Sequence, residues 1–235
     1  RVVGAIIIPL YALGTKEKKW ELFCPECKRP IKPVATPETK SLDTNSIYAL
    51  TKKDQEEMFL LIGKTYGIAA VSLRYFNVFG PRQSLSNPYT GVNALFMNRV
   101  KNNKPPIIFE DGLQTRDFIS VHDIVAANLL AMKSKNADFE EFNVGTGKPT
   151  TIKSVAETTA KIFGSTIKPE ITNVFRKGDV RHCFADISKI KKKLEFTPKV
   201  SFENAMKELI DWSKTVQALD KTDKAIEELK EKGII

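Results

Sequence analysis

Tyr48 and Lys52 stand four residues apart in the run Ser46-Ile-Tyr-Ala-Leu-Thr-Lys52. On a helix that spacing puts two side chains on one face, a single turn apart. A phenol ionises at about pH 10, too high for a base at neutral pH. An ammonium group beside it favours the phenolate and draws that value down. Such a pair suits reversible proton exchange with a sugar or alcohol hydroxyl. Alone, Tyr-x-x-x-Lys is a weak signal, because exposed helices carry such pairs by chance.

The residues downstream narrow the field. Ser72-Leu-Arg-Tyr-Phe-Asn-Val-Phe-Gly-Pro-Arg82 is followed by Thr115-Arg-Asp-Phe-Ile-Ser-Val-His-Asp-Ile124. Phe142-Asn-Val-Gly-Thr-Gly147, Arg176-Lys-Gly-Asp179 and Ala185-Asp-Ile-Ser-Lys189 come next, with Trp212 near the end. This order resembles the extended short-chain dehydrogenase/reductase family, in its nucleotide-sugar epimerase and dehydratase branch. The stretch from Thr36 to Ile124, with Ser86-Asn-Pro-Tyr-Thr-Gly-Val92 inside it, is most similar to dTDP-L-rhamnose 4-epimerase-like and UDP-sugar 4-epimerase-like members. The resemblance covers roughly residues 1 to 212.

The resemblance implies a set of roles. Tyr48 is the acid/base, and Lys52 is its electrostatic partner and a ligand of the nicotinamide ribose of NAD. Phe76 contributes backbone contact to the nicotinamide end; its plain alternative is a core aromatic. Asn77 contacts the diphosphate or sugar, or else caps a buried loop. Arg116 grips the nucleotide phosphates, for which a planar guanidinium is suited, or forms a structural pair with Asp117. Arg176 and Asp179 hold diphosphate and ribose, or simply form a turn. Tyr89, Gly91 and Val92 line the substrate lobe. The implied reaction is transient oxidation at C4 of a dTDP- or UDP-sugar through a 4-keto intermediate, in a homodimer. A dehydratase shares the first half of that route but adds an acidic pair, and residues 5–12 carry no carboxylate.

Two departures stand beside the likeness. No Gly-x-Gly-x-x-Gly or Gly-x-x-Gly-x-x-Gly fingerprint occurs; Gly145-Thr-Gly147 comes nearest and lacks the third glycine. The chain opens at Arg1 directly in an apolar strand signal, Val2 to Leu10. The expectation is a partial form, inactive alone, lacking on the order of a hundred residues of the first mononucleotide-binding half. Ile7 also falls where the family places a serine or threonine, and isoleucine has no hydrogen-bonding group. A catalytically dead nucleotide-sugar binding module is the alternative these departures support.

Composition bounds the rest. With 235 residues and 42% hydrophobic content the chain can bury a core in one or two domains. A net charge of +9 fits phosphate-bearing partners such as nucleotide sugars. The lysines are dispersed and no nucleic-acid motif is visible, so nucleic acid is not expected. Lys189-Ile-Lys-Lys-Lys193 reads as a solvated helical face. The Val2–Leu13 run is too short to span a bilayer, and no membrane partner is expected; a cytoplasmic protein is. Cys24-Pro-Glu-Cys27 is half of a zinc knuckle with no second half. A surface hairpin with two free thiols and a zinc-dependent interaction site remain the two readings of it.

These motifs need an α/β frame. The patterning predicts the C-terminal part of a Rossmann-like doubly wound parallel sheet with a smaller mixed α/β substrate lobe. Residues 1–80 form the remainder of the NAD-binding domain, with a cysteine-bearing insertion at about 14–45 crossing the carboxyl ends of the strands. Residues 81–219 form mainly the lobe, and 220–235 a charged terminal helix. Helices are predicted at 47–66, capped by Asn45 or Ser46 and stopped by Gly67, and at 92–101, 121–133, 152–163 and 202–212. Strands are predicted at 69–75 and 105–109. The 121–133 helix is predicted to turn Ile124, Val125, Leu129 and Leu130 inward.

Overall fold

The computed structural model describes residues 18, 20–44, 46–87, 91–176 and 179–235. The expected Val2–Leu10 strand, Ile7, Asn45 and Tyr89 lie outside the described residues. In chain order come α1 (Ile47–Tyr66), β1 (Val71–Tyr75), β2 (Asn77–Phe79), α2 (Val92–Lys101), β3 (Ile107–Ile108) and β4 (Thr115–Arg116). Then follow β5 (Phe118–Ser120), α3 (Val121–Lys133), β6 (Glu140–Val144), β7 (Thr150–Thr151) and α4 (Ile152–Phe163). The chain ends with β8 (Glu170–Ile171), β9 (His182–Cys183), α5 (Ser188–Leu194), α6 (Phe202–Ser213) and α7 (Thr222–Glu231).

Parallel pairing dominates, as an α/β fold requires. β1 runs beside β6 with Val71 opposite Glu140 and Tyr75 opposite Val144. β2 runs beside β5, and β3 beside β8. β4 is flanked by antiparallel β7 and parallel β9. Between β1 and β2 the chain changes neighbours. Phe76 donates its N–H to the Val144 carbonyl at 3.1 Å, and Asn77 donates to Asp117 at 2.8 Å. A crevice outside the carboxyl ends of strands, at a change of neighbour, is where open α/β sheets bind ligands.

Two apolar clusters hold these pieces. One packs Phe79, Phe118 and Phe202, with ring centroids 5.4–6.2 Å apart, against Met97, Met206 and Leu209. The other gathers Phe142, Val144, Ile119, Ile190 and Phe196 under α3.

Several local expectations need correcting. On α3, Val125, Leu129 and Leu130 are exposed, whereas Asp123, Ile124, Ala127 and Ala131 are buried. The Asp123 carboxylate accepts the N–H groups of Lys199 (2.9 Å) and Val200 (3.1 Å). That polar tie sets the rotation of the helix, and the two small alanines let it approach closely. The 105–109 strand shrinks to two residues, because Pro105 and Pro106 have no N–H to give a ladder. On α5 only part of the lysine cluster is solvated. Lys189 reaches Glu141 at 2.6 Å and Glu140 at 3.0 Å, and Lys193 also pairs with Glu140; Lys191 and Lys192 are exposed.

Candidate functional site

A cleft of about 430 Å³ opens at the neighbour change. Its walls are Arg74, Tyr75, Phe76 and Asn77 on one side and Arg116, Asp179, Val180 and Cys183 on another. The segment Thr36–Leu42 contributes five residues to the lining. Backbone bonds fix that segment: Thr36 donates to Phe184 at 2.8 Å and accepts from Asp186 at 2.9 Å. Glu38 adds a carboxylate oxygen to the Asn143 N–H at 2.8 Å, and its carbonyl accepts from Arg74 at 3.0 Å.

Arg116 projects from β4 into this cleft. Its Nη2 donates to Asp179 at 2.7 Å, and its Nη1 to the carbonyls of Thr115 (2.9 Å) and Arg181 (3.1 Å). The alternative pairing with Asp117 does not form. Asp117 is fully buried, and its carboxylate accepts from Thr146 N–H (2.8 Å), Thr146 Oγ1 (2.6 Å), Gly147 N–H (2.8 Å) and Ala185 N–H (3.1 Å). A buried carboxylate is tolerated only when so satisfied. The sequence reading gave Asp117 no role of its own. The available signal was a carboxylate flush against the apolar run Phe118-Ile119.

Asp117 also disposes of the Gly145-Thr-Gly147 turn as a pyrophosphate cradle. The Thr146 and Gly147 amides, which would face a phosphate, are already spent on this carboxylate. A Cβ on Gly145 would lie 2.5 Å from Asp117 Oδ2, so only glycine fits there.

Arg74 forks onto Glu56 of α1, Nε to Oε2 at 2.8 Å and Nη2 to Oε1 at 2.5 Å, with Ser72 Oγ adding 2.9 Å. The guanidinium holds the Glu56 carboxyl below its ordinary range, and the carboxylate raises Arg74 in return. This fork ties α1 to β1. α1 itself starts where Ser46 Oγ accepts the Ala49 N–H at 3.1 Å and stops at Gly67, whose φ of 68° is cheap only for glycine.

Tyr48 and Lys52 keep the geometry their spacing promised. Lys52 Nζ lies 5.8 Å from the Tyr48 ring centre and donates to Gln55 at 3.3 Å. The phenol is 73% exposed, and neither residue lines the cleft. The structure therefore brings Phe76, Asn77, Arg116 and Asp179 together and leaves the Tyr48–Lys52 pair apart from them. Val92 packs on the core at the start of α2, away from the cleft lining. Arg176 is exposed, and its carbonyl accepts the Asp179 N–H at 3.1 Å. Cys183, which was not foreseen, lines the cleft, with its thiol pushed up by burial.

Cys24 and Cys27 lie in a surface hairpin closed by the Phe23–Pro30 bridge, both as free thiols. The Arg29 side chain holds the Cys27 thiol below its ordinary value. No cluster of three or more His, Cys, Asp or Glu able to hold a metal occurs among the described residues. No described helix is long and apolar enough to cross a membrane.

A parallel sheet that changes neighbours at Phe76, with a cleft opening at the change, is the architecture of an open doubly wound α/β fold. The family described as GDP-mannose 4,6 dehydratase matches residues 30–209, and the chain belongs to it. The dTDP-L-rhamnose 4-epimerase of Burkholderia thailandensis is 35% identical over 176 residues, 75% of this chain and 48% of that protein. The UDP-glucuronate 4-epimerase of Thermodesulfobacterium geofontis is 36% identical over 72% of this chain and 50% of its own length. Among solved structures, the UDP-glucose 4-epimerase of Thermotoga maritima with UDP-glucose superposes with a TM-score of 0.72 at 38% identity, covering 79% of this chain and 59% of that one. The Bacillus cereus UDP-glucuronic acid 4-epimerase with UDP-glucuronic acid and NAD gives 0.71 at 29%, covering 79% and 58%. The chain spans about half the length of the curated relatives it matches.

Proposed function

We propose that this chain serves an NAD-dependent 4-epimerase acting on a UDP- or dTDP-sugar, and that it supplies the sugar-nucleotide grip and the proton-transfer pair. The observation that carries this reading is the cleft in which Asn77, Arg116 and Asp179 meet at the carboxyl end of β1. Arg116 offers its planar fork to the diphosphate, releasing Asp179 to a ribose hydroxyl as the phosphate displaces it. Arg176 adds charge beside Asp179, with Tyr89 and Val92 belonging to the sugar side. Tyr48 takes the proton of the C4 hydroxyl and returns it, with Lys52 steadying the phenolate. By likeness to the family, Lys52, Tyr48 and Phe76 would hold the nicotinamide end of NAD; of the three, only Phe76 lines the cleft. The described residues offer no free glycine turn for its pyrophosphate. When bound, NAD supplies the hydride acceptor and donor for C4.

Residues 1–80 belong in this reading to the cofactor side, 81–219 mainly to the substrate side, and 220–235 to a terminal helix. The protein works as a cytoplasmic homodimer. A nucleotide-sugar binding module without turnover is the second reading, favoured by the exposure of Tyr48 outside the cleft. Calorimetric titration with UDP- and dTDP-sugars, beside a C4-epimer interconversion assay with added NAD, separates the two. Epimerase action predicts that Tyr48→Phe lowers kcat on the order of 10²–10⁴-fold with sugar-nucleotide affinity unchanged. Binding without any wild-type turnover selects the module. Failure to bind either sugar nucleotide overturns both.

A further inference from the structure

The hairpin that carries Cys24 and Cys27 takes no part in lining the cleft, and it holds its two thiols in one turn. The Lys28 N–H donates to the Cys24 carbonyl and the Cys24 N–H to the Arg29 carbonyl, each at 2.9 Å, with Phe23 and Pro30 bridged beneath. Cys24 is thus the first residue of the closed turn and Cys27 the fourth. A single turn of that kind sets such residues about 5–6 Å apart at Cβ, as on a helix. A disulfide spans about 3.5–4.5 Å between Cβ atoms, so closing one here asks for an inward shift of about 1–2 Å.

The two sulfurs are unequal, as exchange chemistry requires. Cys27 is exposed and Cys24 half-buried, so an incoming reagent meets Cys27 first. The Arg29 Nε–H points at Cys27 Sγ at 3.4 Å, and Cys24 is a further hydrogen-bonding neighbour of that sulfur. A guanidinium donor beside a sulfur favours the thiolate, which is the form that attacks disulfides. Lys28, Arg29 and Lys32 are exposed around the tip, against the carboxylate of Glu26. A local field of that sign gathers anionic reagents. The hairpin is fixed at both ends: Glu21 holds Arg181 at 2.5 Å, and Thr36 donates to the Phe184 carbonyl at 2.8 Å. The movement that closes the bridge is therefore confined to the tip.

We infer that Cys24 and Cys27 are a thiol–disulfide exchange site whose co-reactant is a small disulfide bearing carboxylates. The Cys27 thiolate attacks one sulfur of the reagent, forming a mixed disulfide and expelling one thiolate. Cys24 then loses its proton and attacks Cys27 Sγ, breaking the mixed bond and expelling the second thiolate. The cysteine pair is oxidised by two electrons and the reagent reduced to two thiols, which take up the protons the cysteines lose. Excess thiol runs the same steps backwards.

The test follows release of the coloured thiol from dithiobis(nitrobenzoate), an aromatic disulfide with two carboxylates, by the reduced folded chain. Expected is a fast phase of about two thiols per chain, with no reagent left on the hairpin. Cys183, its thiol raised by burial, belongs to a later slow phase. Cys24→Ser lowers the fast release to about one and keeps the reagent on Cys27, Cys27→Ser removes the fast phase, and Arg29→Ala slows it about three- to tenfold. Oxidised glutathione, an anion, reacts faster at low salt than cystamine, a cation, and added salt narrows the gap. A wild-type chain that keeps the mixed disulfide shows that Cys24 does not reach Cys27, and overturns the inference. So does a Cys27 rate no higher than that of the cysteines in the urea-unfolded chain, or a fast phase seen only after a chelator has stripped metal from the thiols. Equal rates for the two charged disulfides overturn the assignment to anionic reagents.

Discussion

The junction around Arg181 and Asp117 and the helix α1, which is tied to β1 through Arg74, are built in opposite ways. At the junction every buried charge has partners. Arg181, 5% exposed at its side chain, holds Glu110 and Asp111 at 2.7 Å and Glu21 at 2.5 Å, while Asp117 takes four donors. α1 instead presents Ile47, Tyr48, Met58, Phe59, Leu61, Ile62 and Tyr66 to solvent, each more than half exposed. Its ties to the sheet are few, chiefly the Glu56–Arg74 fork and the close approach at Gly63. The Arg116–Asp179 side is thus pre-set by its own packing. The Tyr48–Lys52 pair rides on an element whose orientation depends on one ion pair and one glycine. Positioning of a catalytic group is as good as the shell that holds it.

The sharpest way to break this contrast is Arg181→Ala. It would strand Glu110, whose side chain is 4% exposed, and remove the partner of Asp111 and Glu21. A loss of about 3 kcal/mol is expected, at the lower end for a broken buried pair because Glu110 can take up a proton. Urea unfolding measures it, and a loss below about 1 kcal/mol would mean the junction is less tightly built than its contacts. The acid limb gives a second reading of the same variant. Burial raises the Glu21 and Asp111 carboxyls, but bonds and charge from Arg181, aided at Glu21 by His182 and at Asp111 by the Leu113 N–H, leave both lowered. Carboxyls lowered by folding contribute stability that is present above about pH 4–5 and is lost as pH falls through their folded values. Glu110, raised by burial, works the other way, its penalty being relieved as pH falls. The wild-type chain should therefore lose stability as pH falls below about 5, and Arg181→Ala should flatten that limb.

On α1 the strongest expected effect belongs to its tightest contact. A Cβ at Gly63 would stand 2.6 Å from Ala70 Cβ and 2.8 Å from the Ile68 carbonyl. Neither is the far end of a flexible side chain, so the helix must lift from the start of β1. Overpacking of that kind costs about 1–3 kcal/mol, against about 1 kcal/mol gained from alanine's better helix propensity. Gly63→Ala should thus lower stability by up to about 2 kcal/mol in the same urea measurement. A stabilised variant would show that α1 is free to move and is not held at Gly63.

Much of this frame was legible because its signals are local. Ser46 and Gly67 bound α1 as their cap chemistry demands, and Val92–Lys101, Val121–Lys133 and Ile152–Phe163 fall where their periodicity put them. The Tyr48–Lys52 spacing was likewise readable, since one helical turn determines it. What escaped depends on partners far along the chain. Asp117 meets donors 29 to 68 positions away, Arg116 meets Asp179 at 63, and Asp123 turns α3 through amides 76 and 77 residues on. Hydrophobic periodicity placed Val125 and Leu129 inside because it cannot register a buried carboxylate that fixes the helix rotation. That Tyr48 stands outside the cleft lining was not legible, for the same reason. Its position is set by Arg74 reaching Glu56 eighteen residues away, not by anything within α1.

The smallest expected effect tests the open side of the contrast. Phe59 is 69% exposed, so most of its ring already meets water in the folded chain. Truncation gives up only the area that folding removes from water, at about 25 cal/mol per Å². Phenylalanine and serine also have similar helix propensities, so the backbone term nearly cancels. Phe59→Ser is therefore expected to shift stability by no more than about 0.5 kcal/mol, a typical surface value. The measurement should be made across protein concentration. A loss above about 1 kcal/mol that grows with concentration would show the α1 face covered by a second chain in solution, because association stabilises the folded state by mass action. A concentration-independent loss of that size would instead mean that Phe59 packs within its own chain, and the contrast between a closed junction and an open helix would fail on its open side.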